Sequence, residues 1–463
     1  MDRYDVIVLG GGSAGTAAAA AARRAGAHTA MVNRDELGGL CILRGCMPTK
    51  AMLASSHAAR LGDGIESLGA HLEGRVTVDF PKLMRRKQQL VERFKRAKIE
   101  SIESNDYDVI FGHGRFLTDG TLDVDGRILA AERYVLATGS EPTVVPLPGI
   151  DEVPVWTSDD VMELTRQPES LVVFGAGAIG LELAQFFAEI GTRVLVVNRS
   201  PLLRRYDLEA GRELRAALGK LDELHFAIPG TIERLRREGD GLIAQVSTDD
   251  GSMEWTADAL VMAAGRRPMI DGLGLDEVGV VVKDGRIRHD ATMQTDNPRI
   301  YVAGDVTGEL QILHLANDEG ATAGHNAAGA EPSQAMDYRL AMSVIFSDPP
   351  FAQVGRMEAD LERDGVAFVT GKARFPETGR AITMGVEHGF FKIFADNDSG
   401  EILGGSILGP RADDLIHLVS LLMHHRGTAA SILTMPWYHP TLSEVILNVA
   451  RQIEALRNKK GES

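Results

Sequence analysis

The chain holds two cysteines, Cys41 and Cys46, both in the run Cys41-Ile42-Leu43-Arg44-Gly45-Cys46, close downstream of a glycine-rich turn. Disulfides kept for stability would be scattered as several pairs, and a zinc site would want about four ligands, so no metal is expected. A lone, closely spaced pair in a reducing compartment reads as one redox device. Thiol exchange needs a base that titrates near neutral pH, which is the range of histidine. Among 13 histidines the best candidate is His439, because an acid follows in His439-Pro440-Thr441-Leu442-Ser443-Glu444. There Glu444 would orient the ring and His439 would move protons on and off thiols. Thr441 and Glu444 also fit a capping box that starts a helix running to Leu456, and the two uses can coexist.

The elements that must position these residues show as an internal repeat. Val6 to Leu9 run into Gly10-Gly11-Gly12-Ser13-Ala14-Gly15, and Leu171 to Phe174 run into Gly175-Ala176-Gly177-Ala178-Ile179-Gly180. Each copy reads strand, glycine turn, helix. A second apolar strand follows and ends in the same tripeptide, Val32-Asn33-Arg34 and Val197-Asn198-Arg199, at the same distance from the first glycine. A third echo closes each unit, Leu136-Ala137-Thr138-Gly139-Ser140-Glu141-Pro142 and Met262-Ala263-Ala264-Gly265-Arg266-Arg267-Pro268. In such a turn the first glycine permits the bend, the second lets backbone amides approach a pyrophosphate and the third lets helix pack on strand. One fingerprint alone is weak evidence; two in matching context specify two dinucleotide-binding domains.

At 463 residues the chain predicts roughly three domains. Hydrophobic residues at 44%, charged residues at 25% and 50 glycines fit an α/β protein with many tight turns. A formal net charge of -16 disfavours nucleic acid and anionic membranes as partners, since both require clustered Lys and Arg. The run Val6 to Leu9 begins too early for a signal peptide, and no uncharged stretch approaches the ~20 residues of a spanning helix, so a cytoplasmic location is expected. Domain boundaries are expected at proline-rich Glu141 to Gly149 and at Ala327 to Gln334. From about Tyr338 short β-like runs, such as Gly389 to Phe394, alternate with helices including Leu415 to Met423 and Leu442 to Leu456. This last part carries no glycine fingerprint and is expected to be an interface or substrate domain.

Together these motifs resemble the flavin-dependent pyridine nucleotide-disulfide oxidoreductases, the group containing dihydrolipoamide dehydrogenase, glutathione reductase and mercuric reductase. The resemblance spans nearly the whole chain. It rests on Gly10 to Gly15, Gly38-Gly39 before Cys41 to Lys50, Ala137 to Ser140, Gly175 to Glu182, Gly265 to Pro268, Ala303-Gly304-Asp305 and His439 to Glu444. It implies an α/β fold of two Rossmann-like dinucleotide-binding domains plus a C-terminal α+β dimerisation domain. Residues 1–147 would bind FAD, 148–268 NAD(P), 269–335 would return to the FAD domain and 336–463 would form the interface. FAD contacts are implied at Gly10, Gly12, Gly15, Asn33, Gly39, Lys50, Gly114, Thr138, Gly139, Ser140, Asp305 and His314. Nicotinamide-nucleotide contacts are implied at Gly175, Gly177, Gly180, Asn198, Arg199, Arg204 and Gly265. Cys46 would face the flavin as the charge-transfer thiolate, Cys41 would attack substrate, and Lys50 would pair with Glu182 beside the flavin's hydride-accepting nitrogen. Plainer uses compete: surface charges for Lys50 and Glu182, a helix cap for Asp305, a packed core histidine for His314. The resemblance also implies a homodimer in which each active site borrows the partner's His439, because that residue lies in the last domain and the cysteines in the first.

In a regular helix, residues five apart have Cα atoms roughly 8 to 9 Å apart, beyond the ~7 Å limit for a disulfide. The helix start that carries the cysteines is therefore expected to be distorted, with Gly38, Gly39 and Gly45 supplying freedom and Pro48 interrupting the hydrogen bonding behind Cys46. A helix N-terminus would lower a thiol pKa, as would Arg44 if it turned inward rather than into solvent.

The chain departs from the family where an acidic residue usually holds a ribose, because both copies offer asparagine, Asn33 and Asn198. Asn198 with Arg199, and Arg204 or Arg205 further on, would accept a 2′-phosphate, which leans the expectation to NADPH over NADH. No cysteine lies near the C-terminus, which argues against mercuric reductase and the larger thioredoxin reductases in their usual form. The His439 to Glu444 phrase is nearest to dihydrolipoamide dehydrogenases, although Trp437, Tyr438 and Ile42-Leu43-Arg44 differ from the usual residues. The expected function is an FAD enzyme passing two electrons between a nicotinamide nucleotide and a dithiol/disulfide, with free or protein-bound lipoamide the first substrate. The alternatives are an NADPH-dependent reductase of another small disulfide and, in a different class, a low-turnover flavoprotein redox sensor or scaffold.

Overall fold

A computed structural model describes residues 2–60, 62, 65–74 and 76–461. The chain is mixed α/β and divides into two compact units, one of Met1–Ala51, Met84–Thr143 and Gly265–Asp337, the other of Met52–Leu83, Val144–Ala264 and Tyr338–Ser463.

The first unit is built on the apolar run near the N-terminus. Val6, Ile7 and Val8 are fully buried, which is what a continuous hydrophobic strand requires when both faces of a parallel sheet are covered. The strand Asp2–Leu9 pairs in parallel with Thr29–Asn33 on one side and Arg127–Leu136 on the other. Asp108–Phe111 extends the sheet beyond Thr29–Asn33, Leu122–Val124 and Gly114–Phe116 extend it antiparallel beyond Arg127–Leu136, and Ile300–Val302 also pairs with Arg127–Leu136. The helix Ser13–Arg24 is rich in alanine because the helix Leu313–Ala327 lies directly on it. A Cβ at Gly320 would sit 2.2 Å from the Ala14 carbonyl oxygen, and one at Gly324 2.1 Å from that of Ala18.

In the second unit the repeat recurs as the parallel sheet Leu224–Ala227, Arg193–Val197, Ser170–Phe174, Ala259–Met262 and Val155–Trp156, in that order. The third echoes of the two copies pair with each other. Ser140–Pro142 runs antiparallel to Arg266–Pro268, with Ser140 opposite Pro268 and Pro142 opposite Arg266. The chain thus leaves the first unit and re-enters it through two hydrogen-bonded strands.

The C-terminal part is a five-stranded antiparallel sheet, ordered Met342–Ile345, Phe351–Gly355, Ile402–Leu408, Phe390–Asp396, Phe368–Arg374. It shares a buried core, including Phe375, Phe391, Ile393, Ile407, Val419 and Val449, with the helices Ala412–His424 and Val445–Gly461. The last helix begins three residues later than Leu442. Thr441 Oγ1 accepts the Glu444 N–H and Glu444 Oε1 accepts the Thr441 N–H, both at 3.3 Å, so these residues are spent on the cap and helix follows them.

Residues 52–83 group with the second unit although they continue the cysteine helix. Their polar contacts explain it: Ser56 Oγ donates to Glu189 Oε2 at 2.5 Å, and His57 lies 3.2 Å from Gln185 Nε2.

Candidate active site

The helix start that carries the cysteines is distorted, as expected, to the point of being broken in two. Gly39–Leu43 forms one short helix, Arg44 leaves it with φ -141° and ψ 2°, and a new helix starts at Cys46 and runs to Ala59. Gly45 makes the fold-back possible by lacking a side chain: a Cβ there would lie 2.9 Å from the Leu40 carbonyl oxygen and 3.3 Å from Cys41 Cα. The result brings the Cys41 and Cys46 side chains into hydrogen-bonding contact in the dithiol form. Pro48 is not an interruption. It occupies the first turn of the new helix, where its missing N–H has no intrahelical partner to lose.

The expected depression of a thiol pKa does not hold for Cys41. Its hydrogen bond to Cys46, burial and the neighbouring sulfur's charge push it far above the usual thiol range, opposed by the Cys46 backbone N–H and the charge of Lys50. Arg44 is exposed.

The start of the cysteine segment sits against the first glycine turn. A Cβ on Gly39 would lie 2.6 Å from Gly12 Cα, so the start of the cysteine helix is stacked on the fingerprint itself. Gly12 caps the helix Ser13–Arg24 with no side-chain hydrogen bond, leaving the first N–H groups for an anion. Asn33 Oδ1 accepts the Gly11 N–H at 2.8 Å and so shapes the turn. Thr138 Oγ1 donates to the Met269 carbonyl, and the Met269 N–H to that of Gly139. Ser140 Oγ donates to Asp305 Oδ2 at 2.6 Å and accepts from Arg266 Nε at 2.9 Å, which brings two predicted FAD residues together with an arginine that local spacing does not single out. Gly114 opens the strand Gly114–Phe116, and His314 lies half-buried in the first turn of Leu313–Ala327. Uncapped amides, a side-chain-free turn and a half-buried carboxylate fit a flavin dinucleotide.

The second glycine turn repeats the design. Gly177 caps Ala178–Glu189 without a side-chain bond, and a Cβ on it would meet nothing within 4 Å. Asn198 Oδ1 accepts the Ala176 N–H at 3.4 Å, and Nδ2 donates to the Ser200 carbonyl at 2.5 Å. Its side chain is thus used as a clamp on the turn, as in the first copy, and Arg199, Arg204 and Arg205 beyond it are all exposed. The Thr143 N–H donates to the carbonyl of Gly265. Glu182 is buried in Ala178–Glu189 and accepts the Phe346 N–H at 3.0 Å.

His439 Nδ1 lies 3.1 and 3.0 Å from the two Glu444 carboxylate oxygens. A carboxylate can only accept, so Nδ1 carries the hydrogen. The Glu444 side chain is 17% exposed and that of His439 76%: the carboxylate is sheltered and the ring stands out of the surface. Beside it Tyr438 is 82% exposed and Met435 51%, an apolar surround that suits coverage by another chain. The cysteines and Lys50 belong to the first unit, His439, Glu444 and Glu182 to the second.

Other residues with polar work in this region gave no sequence signal. Buried Glu319 accepts the Gly304 N–H at 2.7 Å, next to Asp305. Lys98, whose pKa is lowered by burial, donates to Thr16 Oγ1 at 2.6 Å and is within electrostatic reach of Cys41. Only the Gly-Asp context before Glu319 could have drawn attention to it.

With this geometry in view, residues 4–320 match the family model described as pyridine nucleotide-disulphide oxidoreductase, and residues 341–450 match the dimerisation domain of the same group. A dihydrolipoyl dehydrogenase of Bacillus subtilis is 32% identical over 466 residues, covering 96% of this chain and 96% of the relative. A mercuric reductase of Streptomyces lividans is 33% identical over 448 residues, covering 95% and 94%. Among solved structures, the HOCl-induced flavoprotein disulfide reductase RclA from Escherichia coli superposes with a TM-score of 0.84 at 25% identity, over 97% of this chain and 99% of that one. No helix among the described residues is long and apolar enough to cross a membrane.

Proposed function

The chain belongs to the pyridine nucleotide-disulphide oxidoreductase family and is an FAD-dependent disulfide oxidoreductase; we propose that it passes two electrons between NADPH and a dithiol/disulfide substrate, with free or protein-bound lipoamide the first to try. The observation that carries this reading is the close Cys41–Cys46 dithiol on a segment whose start, Gly39, packs on Gly12 of the first glycine turn. A flavin bound at that turn supplies the relay of an electron pair between nicotinamide and disulfide. In the reductive direction, the Cys41 thiolate attacks one sulfur of a substrate disulfide, whose S–S bond breaks as the Cys41–substrate bond forms. The departing thiolate takes a proton from His439. The Cys46 thiolate then attacks Cys41, which releases the second substrate thiolate and closes the Cys41–Cys46 bond. Lys50, whose charge opposes the raised pKa of Cys41, and Glu182 form a charge pair beside the flavin in this reading. His439 comes from a second copy of the chain in a homodimer, which its exposure and the match to a dimerisation domain support. A reducing compartment such as the cytoplasm keeps the pair poised.

The turns make the two nucleotide assignments separable. A Cβ at Gly15 would lie 1.8 Å from the Gly10 carbonyl oxygen, and one at Gly180 2.0 Å from that of Gly175. Gly15→Ala should purify depleted of flavin, read as the ratio of visible to ultraviolet absorbance. Gly180→Ala should keep its flavin and raise KM for the nicotinamide nucleotide by about tenfold or more. Loss of flavin from both, or from neither, would overturn the assignment, and loss from Gly180→Ala alone would reverse it.

Asn198 is neutral where a carboxylate would repel a 2′-phosphate, and Arg199 and Arg204 are exposed beside the second turn, which supports NADPH. The deciding experiment is anaerobic titration of the holoenzyme with NADPH and, separately, NADH. A long-wavelength absorption band at two electrons, reached faster with NADPH, is expected. Direct bleaching without the band would separate the thiols from the flavin, and equal or better efficiency of NADH would overturn the nucleotide reading.

A further inference from the structure

The segment from Asn198 to Asp207 carries Arg199, Arg204 and Arg205, and among the described residues none of the three meets a carboxylate at ion-pair distance. The shape of the segment is over-determined. Asn198 clamps its start to the glycine turn. In its middle Leu203 is buried and held at φ 53°, a left-handed conformation that a side chain adopts only under restraint. Gly211 lies beneath, since a Cβ there would be 2.0 Å from the Leu202 carbonyl oxygen. At the end, Asp207 Oδ1 caps the helix Leu208–Leu218 by accepting the N–H groups of Glu209 (2.9 Å) and Ala210 (3.1 Å).

The other oxygen of Asp207 is tied to a distant part of the sequence. It accepts from Lys392 Nζ at 2.7 Å and from Ser406 Oγ at 2.9 Å, residues on adjacent strands of the C-terminal sheet. Lys392 also reaches Glu209 Oε2 at 3.0 Å and stands 4.8 Å from the centre of the Phe390 ring. The Lys392 and Asp207 side chains are 6% and 7% exposed. Burial works against both charges, but their mutual hydrogen bond and attraction prevail, so Asp207 stays below and Lys392 above its usual range. Such a buried pair adds little stability compared with apolar residues of the same volume, whereas it fixes position closely.

We propose that Lys392 is a positioning residue for the nicotinamide nucleotide: through Asp207 it holds the Asn198–Asp207 segment in the shape that presents Arg199 and Arg204 to the 2′-phosphate of NADPH. This rests on the NADPH reading and extends it to a side chain of the C-terminal sheet.

The test titrates flavin-replete wild type, Lys392→Met and Lys392→Arg with 2′,5′-ADP and with 5′-ADP, alongside steady-state kinetics. Lys392→Met should bind 2′,5′-ADP about tenfold more weakly or worse. Its KM for NADPH should rise while kcat at saturating NADPH stays within about twofold. Lys392→Arg should restore part of the affinity. A folded Lys392→Met that binds 2′,5′-ADP like wild type overturns the inference and leaves the NADPH reading standing. Wild type that binds 5′-ADP as tightly as 2′,5′-ADP overturns both. If Lys392→Met does not fold, Ser406→Ala removes only the hydroxyl donor: roughly threefold weaker 2′,5′-ADP binding is expected, and unchanged binding counts as refutation.

Discussion

Cys46→Ser should lose disulfide turnover by more than ~10³-fold while retaining its flavin. The size follows from stoichiometry, since a single thiol can form a mixed disulfide with substrate but cannot resolve it. No other residue can substitute, because Cys41 and Cys46 are the only cysteines of the chain. Flavin retention is expected because the glycine turn, Asn33 and the Ser140–Asp305 contact do not involve the Cys46 sulfur. Cys41→Ser should be equally inactive but should differ in its spectrum: with Cys46 next to the flavin, its thiolate keeps the long-wavelength band. Turnover of disulfide at the wild-type rate in Cys46→Ser would dispose of the dithiol mechanism. Equal spectra in the two variants would remove the distinction between the thiols.

The second large effect is expected at His439. With Cys41 pushed above the ordinary thiol range by its hydrogen bond to Cys46 and by burial, a base is expected to take its proton as thiol exchange begins. His439→Gln should lower kcat/KM for the disulfide substrate by about 10²- to 10⁴-fold. Reduction of the bound flavin by NADPH should be unaffected. Glu444→Gln should fall between this variant and wild type, because a neutral amide still holds the ring but no longer stabilises its charged form. The arrangement between subunits can be tested directly by co-expressing Cys46→Ser and His439→Gln chains. If each site takes its thiols from one chain and its histidine from the other, a mixed dimer contains one intact site. Random assortment then restores about a quarter of wild-type activity. If both come from the same chain, no intact site arises and the mixture stays inactive.

Much of the candidate site was legible because its determinants are short-range. The glycine fingerprints depend on missing side chains within a few residues of a strand end, and Gly15 and Gly180 contact backbone only five residues away. The same holds for Cys41 with Cys46 and for His439 with Glu444, whose partners lie five positions apart. The break between the two cysteine helices followed from distance alone, whereas the roles of Gly45 and Pro48 did not. Gly45 is needed for close approach to Leu40 and Cys41 rather than for freedom of φ, and Pro48 starts a helix instead of stopping one.

From the amino-acid sequence by itself came the repeat, the order of strands and helices around each turn, and the residue types available for redox and proton chemistry, all matters of local spacing. Tertiary structure decided the rest. Lys392 meets Asp207 across 185 positions of chain, and Glu319 finds the Gly304 N–H because Gly320 and Gly324 let two helices touch. The direction of the Cys41 shift was likewise unreadable in advance, because burial and a hydrogen bond to a second sulfur outweigh the helix end and the nearby cation. Partners chosen by packing, and the loss of water around them, set those energies, and neither is encoded in the neighbours along the chain.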